Sequence, residues 1–275
     1  MKNKNYTLSP ILYSLNIGWL YPDLMSTYGD RGNIMVLSKR CEWRGIDVKI
    51  RNLNEGFDEK LLKGIDILFM GGAQDIQQQI VSRDFSSKKI ASLKRKIEDG
   101  TPGLYVCGAY QFLGKYYKEV NGTKIKGLGI LDLFTENPGE GNERFIGNVI
   151  IQANGLWQMA NSKKTISNTP YAKRYVVGFE NHGGRTYLGK NLKPFGQVVR
   201  GFGNNDMDKT EGAIYKNSIG TYLHGPILPK NPEIADFLIK RALEIKYGEK
   251  IKLEKLDDSL SQKTRKSVLQ KIISF

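Results

Sequence analysis

Gly103-Leu104-Tyr105-Val106-Cys107-Gly108-Ala109-Tyr110-Gln111-Phe112-Leu113-Gly114 is the stretch on which the reading of this chain turns. Leu104 to Val106 form a short apolar run after Pro102-Gly103, the pattern of a buried strand. The run stops at a cysteine and a glycine, and a helical segment follows through Phe112 and Leu113. A nucleophile at such a sharp strand-to-helix turn stands exposed at the carboxyl edge of a sheet. A cysteine reacts as its thiolate, and with a free pKa of about 8.5 it needs a nearby base or the positive end of a helix. The turn supplies the helix end. Gly108 lets a substrate approach and presents a backbone N–H to a developing oxyanion. A lone cysteine is often only a small core residue, but the context of Cys107 favours catalysis.

Outward from this turn, strands alternate with helices. Residues 11–17 read as a strand, followed by a loop from Tyr21 to Asn33. The spacing of Ile34, Leu37 and Cys41 predicts a helix over about 33–44, closed by Gly45. Strands are predicted over 46–50 and 65–70, the second running into Gly71-Gly72, and a helix over about 86–99. This alternation through residue 120 indicates a parallel α/β sheet. Beyond it come strand-like pieces at 128–135, 144–152, 174–179, 196–202 and 212–216, read as an antiparallel or mixed edge on the parallel core. Residues 153–172 are polar and aperiodic, the character of a surface insertion. A helix opens at Pro232 and runs to 247. The expected organisation is one domain over 1–247 and a charged tail over 248–275, either disordered or docked on a partner.

The 275 residues suffice for a full core, and 40% hydrophobic with 25% charged residues is ordinary globular composition. The net charge of +14 invites an anionic partner. The basic residues are nonetheless spread out, with no arginine-rich block and no nucleic-acid motif. With two cysteines far apart in sequence there is neither a disulfide framework nor a zinc spacing. No metal is expected. The N-terminus lacks the features of a signal peptide, and no run of apolar residues is long enough to span a membrane. The expected location is the cytoplasm, possible attachment being to the inner face of the membrane.

A cysteine nucleophile needs a base, and the chain has only two histidines. His224 lies in Gly220-Thr221-Tyr222-Leu223-His224-Gly225-Pro226, directly after a short strand, so its strand-end position matches that of Cys107. His182 lies in the polar turn Gly178-Phe179-Glu180-Asn181-His182-Gly183-Gly184-Arg185, and its role stays open. Gly71-Gly72, at the end of another predicted parallel strand, sits at the sheet edge where ligands gather and can aim N–H groups at an oxyanion.

Three of these segments, 103–114, 178–187 and Gly220 to Asn231, together resemble the class I glutamine amidotransferases, more narrowly their cobyric-acid-synthase-type branch. The resemblance covers about Tyr21 to Leu243. It implies a flavodoxin-like three-layer sandwich with a mostly parallel central sheet and added antiparallel strands. It makes Cys107 the nucleophile that forms a γ-glutamyl thioester and His224 its general base and acid. The backbone around Gly72 and Gly108 becomes the oxyanion hole. Arg144, in Glu143-Arg144-Phe145-Ile146-Gly147, becomes the holder of glutamine, its fork suited to gripping the α-carboxylate bidentately. Gln111 would help line the pocket.

One departure stands out. Many class I amidotransferases carry a glutamate two residues after the histidine, and this chain has Pro226 there. The acid that orients the imidazole must come from elsewhere in the chain or from a partner. If the partner supplies it, the isolated chain is expected to be a poor glutaminase.

The chain has no Gly-x-x-x-x-Gly-Lys-Ser/Thr loop and no visible means of activating a carboxylate with ATP. No cofactor is therefore expected here, with ATP and Mg on a partner. The resemblance implies a heterodimer with a MurT-type ATP-dependent ligase. That ligase would amidate the α-carboxylate of D-glutamate in the stem peptide of lipid II. Three alternative readings stand beside this one: an amidotransferase for a corrinoid carboxylate, whose fused enzymes carry their ATP-binding domain in the same chain; a non-catalytic scaffold; and a cysteine peptidase on the same sheet.

Overall fold

The computed structural model describes residues 12–153 and 175–273, so most of the expected insertion at 153–172 lies outside the described residues. The first half alternates as expected: β1 (Ser14–Leu20), α1 (Arg31–Glu42), β2 (Asp47–Leu53), β3 (Ile67–Met70), α2 (Asp75–Asp84), α3 (Ser87–Glu98), β4 (Gly103–Val106) and α4 (Gly108–Phe112). Short strands follow: β5 (Tyr116–Lys118), β6 (Lys124–Lys126), β7 (Leu133–Glu136), β8 (Phe145–Ala153), β9 (Tyr175–His182), β10 (Arg185–Leu188), β11 (Gly196–Arg200) and β12 (Thr210–Glu211). The chain then returns through β13 (Ala213–Tyr215) and β14 (Ser218–Thr221) to α5 (Ile227–Lys230), α6 (Pro232–Tyr247) and α7 (Ser259–Ile273).

The central sheet has the order β13-β14-β4-β3-β1-β2, and every pairing in it is parallel except that of β13 with β14. Its interior strands β3 and β4 are buried at every position, which is why they read as unbroken apolar runs rather than alternations. β2 lies at the edge and carries Asp47, Lys49 and Arg51 on its exposed positions, charges that discourage further strand pairing.

The strand-like pieces were expected to extend this core, and only 212–216 does so, as β13. The others build two separate four-stranded sheets, β10-β7-β5-β6 and β12-β11-β8-β9. The β13 edge is continued only by an isolated bridge from Ile214 to Lys193, so a longer strand has no ladder there to join. Sequence periodicity missed α2. Its buried face is made by Gln78 as well as Val81, so the apolar stripe that marks a helix is diluted by a glutamine.

On α1, Ile34, Leu37 and Cys41 are buried, as the spacing predicted. Truncating Leu37 to alanine would cost about 2–5 kcal/mol, the range for deleting a buried leucine. Cys41 is fully buried, and burial pushes its thiol up to about 12, which makes it a core residue and not a nucleophile. The charged tail folds back on the body. Buried Arg40 is gripped by Asp236 of α6 and by Asp258, with its shortest contacts at 2.7 and 2.6 Å. Leu269 of α7 packs with Ile150 of β8 and Val177 of β9, and Arg265 pairs with Glu233.

Candidate active site

The parallel register places one chemical group at the carboxyl end of each of four neighbouring strands. Val106 of β4 is level with Thr221 of β14, so Cys107 and the Tyr222-Leu223-His224 segment leave the sheet side by side. Met70 of β3 is level with Tyr105 of β4, which brings Gly71-Gly72 alongside. Leu20 of β1 pairs with Met70, and the loop that follows β1 ends at Asp30. Ligands gather at this edge in α/β sheets, and residues remote in sequence meet here because the strand order is not the chain order.

Cys107 adopts φ 50°, ψ −107°, a conformation that an L-residue rarely takes. Its N–H is held by Thr221 O at 2.8 Å, and the Gln111 N–H bonds back to its carbonyl at 3.0 Å, opening α4. Cys107 is 7% exposed and lines a cavity of about 410 Å³. Gly108 starts the helix, where first-turn N–H groups have no intrahelical acceptor. A Cβ at Gly108 would meet Ala73 N at 3.0 Å, so the backbone just after Gly71-Gly72 packs closely on the residue that follows Cys107.

His224 lies behind Cys107 and is buried. Its backbone is clamped in both directions to Phe179 of β9, N–H to O at 2.8 Å and O to N–H at 3.2 Å. Nδ1 faces Asp30 Oδ1 at 3.3 Å, while Nε2 is buried without a hydrogen-bond partner among the described residues and faces Cys107. Burial opposes charge on the ring. The Cys107 thiolate and the Asp30 carboxylate outweigh it and push His224 up to about 10.

Asp30 is the acid that the sequence left unassigned. It is fully buried, and its other oxygen, Oδ2, accepts the Gly72 N–H at 2.7 Å. Pro226, where other families carry their glutamate, packs on Gly32 in the first turn of α1: a Cβ on Gly32 would meet Pro226 Cγ at 2.5 Å. The His224 loop therefore docks on the element that begins with Asp30. Reading the sequence found no signal for this, because Asp30 sits in a polar loop with no motif around it.

Gly72 serves a packing need. A Cβ there would lie 2.8 Å from His224 Cε1. Its N–H, expected among the oxyanion donors, is engaged by Asp30.

Arg144 and Gln111 both line the cavity. Arg144 is exposed at the rim, where Nε and Nη2 donate to Asn181 Oδ1 at 3.2 and 3.0 Å. Gln111 is buried and held from both sides: it donates to Tyr222 Oη at 3.1 Å and accepts from Gln78 at 3.3 Å. Its amide is thus part of the scaffold of the floor. Tyr28, with φ 56°, is half exposed at the mouth, its ring centroid 5.0 Å from that of His224.

His182 also reaches the cavity. Its ring stacks on Tyr222 at 3.6 Å with an interplanar angle of 6°, and Nδ1 is 2.8 Å from Gly184 O. Burial lowers its pKa against the opposing pull of the Glu180 carboxylate, whose Oε2 lies 3.8 Å from Nε2. Beneath it, Glu211 accepts the Tyr222 N–H at 2.6 Å and the Thr221 hydroxyl at 3.0 Å, fixing the segment that carries His224. Burial pushes the Glu211 carboxyl up to about 8.

Most of the chain is similar to known proteins. Residues 16–232 match the CobB/CobQ-like glutamine amidotransferase domain. The chain is 42% identical over 252 residues to "Lipid II isoglutaminyl synthase (glutamine-hydrolyzing) subunit GatD" of Streptococcus pneumoniae, covering 91% of this chain and 88% of that protein. It is 43% identical over 239 residues to the subunit of the same name from Staphylococcus aureus, covering 86% and 87%. A crystal structure of a glutamine amidotransferase aligns with a TM-score of 0.52 at 15% identity, over 82% of this chain and 98% of that one, a likeness of fold.

Proposed function

This chain belongs to the CobB/CobQ-like glutamine amidotransferase family, and on that premise we propose that it is the glutamine-hydrolysing subunit of a lipid II isoglutaminyl synthase. The observation that carries the reading is the alignment of nearly the whole chain with the two GatD subunits at 42% and 43% identity. The Cys107–His224–Asp30 array supplies chemistry that suits it.

Glutamine enters with its side-chain amide toward Cys107 and its α-carboxylate at Arg144. The Cys107 thiolate attacks the amide carbon, and the oxygen takes up negative charge between the Gly108 and Ala73 amides. His224 gives its Nε2 proton to the departing nitrogen, which leaves as ammonia, and a γ-glutamyl thioester remains on Cys107. His224 then takes a proton from water as the water attacks the thioester, and glutamate is released. Asp30 holds the imidazole in the tautomer with the proton on Nδ1 and stabilises the imidazolium. With Asp30 inside this chain, the isolated subunit carries the orienting acid itself.

The ammonia goes to a second subunit of the synthase. We take that subunit to be a MurT-type ligase that uses ATP and Mg to activate the α-carboxylate of D-glutamate in the lipid II stem peptide. This sets the complex in the cytoplasm, beside the inner face of the membrane. No helix among the described residues is long and apolar enough to cross a membrane.

The test is glutamate release from glutamine by the chain alone and with its ligase, beside Cys107→Ala. Cysteine-dependent release, together with lipid II amidation when ligase and ATP are added, is the expected result. Release that persists in Cys107→Ala, or none with the ligase present, would sink the reading.

A further inference from the structure

We infer that Asp75 is the residue that selects the α-ammonium group of the substrate, and so makes this site specific for an α-amino acid amide rather than for any primary amide. The inference rests on the proposed glutaminase reading and deepens it.

Asp75 is the first residue of α2, just beyond the Gly71-Gly72-Ala73 turn. It is partly buried and lines the same cavity as Cys107 and Arg144. Among the cavity's lining residues, Asp75 is the carboxylate and Arg144 the guanidinium. The two are close enough to interact electrostatically, yet Arg144 spends its Nε and Nη2 on Asn181 and not on Asp75. Opposite charges thus line the cavity that Cys107 also lines, without closing on each other.

Glutamine carries its carboxylate and ammonium on a single carbon, three carbons from the amide carbon that reacts. A site for it needs an anion and a cation together at one end and the nucleophile at the other. Asp75, Arg144 and Cys107 line one cavity and supply the three groups that such a site needs. Tyr117 lies beside Asp75, and Glu119 adds negative potential nearby. Glu119 is 4% exposed; one of its oxygens accepts from Gln79 at 3.0 Å, and the other has no partner among the described residues. An ammonium docking against Asp75 therefore enters a region of negative field that is partly shielded from water, where charge-assisted hydrogen bonds are strong.

An acidic residue in the first turn of a helix is also favoured by the helix dipole. A purely structural role would alter stability, but not the preference between two ligands that differ only at the α-amino group. Glutamine and its deamino analogue glutaramate form such a pair.

The experiment compares kcat/KM for glutamine and glutaramate in the wild-type chain with its ligase and in Asp75→Asn. In parallel, the affinity of both compounds is measured by calorimetry in the Cys107→Ala background, which needs no turnover. The expected result is a preference of about 10- to 100-fold for glutamine, the worth of one charge-assisted hydrogen bond. That preference falls to near unity in Asp75→Asn, through KM and Kd with kcat little changed. Thermal unfolding identifies a variant that has not folded, and Asp75→Glu, which keeps the charge, restores part of the preference. An unchanged preference in folded Asp75→Asn, or none in the wild type, overturns the inference. A chain that binds glutamine through Asp75 but never releases glutamate upholds the inference and defeats the glutaminase reading instead.

Discussion

Asp30 Oδ1 stands 3.3 Å from His224 Nδ1 although 194 positions of sequence separate the two residues. The same carboxylate holds the Gly72 N–H through its other oxygen. One buried acid thereby ties the histidine loop to the turn after β3, and both flank Cys107.

Replacing Asp30 by asparagine keeps the size of the side chain and removes its charge. The imidazole then loses the partner that stabilises its charged form. We expect kcat for glutamine hydrolysis to fall by about 10²–10⁴-fold with KM little changed, in the isolated chain and in the complex alike. Steady-state kinetics on both forms checks this. Normal turnover by Asp30→Asn in the presence of the ligase would return the orienting role to the partner.

His224 is pushed up to about 10 chiefly by the Cys107 thiolate, with Asp30 adding to it against the opposing effect of burial. In Cys107→Ala the largest raising cause is gone, so the His224 pKa must drop. NMR titration of the ring protons in wild type and variant measures the drop. Identical titration curves would show that the thiolate and the imidazolium do not form a pair.

Gly72→Ala puts a methyl group 2.8 Å from His224 Cε1, closer than real contacts allow. The ring must move, and a displacement of the order of 1 Å costs about 10²-fold in rate. We expect a loss of kcat with a nearly normal melting curve. Wild-type kcat would show that the site relaxes without harm.

Arg144→Ala removes the rim guanidinium. KM for glutamine should rise by about 10- to 100-fold, the worth of a bidentate charge-assisted contact, with a smaller effect on kcat. Unchanged kinetics would remove Arg144 from the site.

Glu211 links stability to pH. Its folded carboxyl keeps its proton up to about 8, against an ordinary value of 4.5. Between those limits the folded state binds more protons than the unfolded one, so stability falls as pH rises through this window. Glu211→Gln has no such proton to lose, and its Tm should vary less between pH 5 and 8 than that of the wild type. Calorimetry across that range decides; parallel curves would mean that the carboxyl is ionised throughout.

The segment from Gly103 to Gly114 carries its own meaning. An apolar run that breaks at Cys-Gly and continues as a helix is a local pattern, and local patterns are set by residues adjacent in the chain. His224 was legible for the same reason, as a histidine directly after a short strand, and α1 was legible from the period of Ile34, Leu37 and Cys41. Helix α2 was not, because a glutamine stands among its buried positions, and the later strands could be read as strands but not assigned to sheets. Asp30 beside His224 and the occupied Gly72 amide were invisible: each owes its place to neighbours supplied by other strands. The sequence alone thus determined most of the elements and singled out Cys107, since periodicity and turn chemistry act over a few residues. Only the tertiary structure decided which acid faces His224 and which residues line the cavity with Cys107. Those pairings follow from the strand order β14-β4-β3-β1, and that order is set by burying several elements together, not by any one stretch of chain.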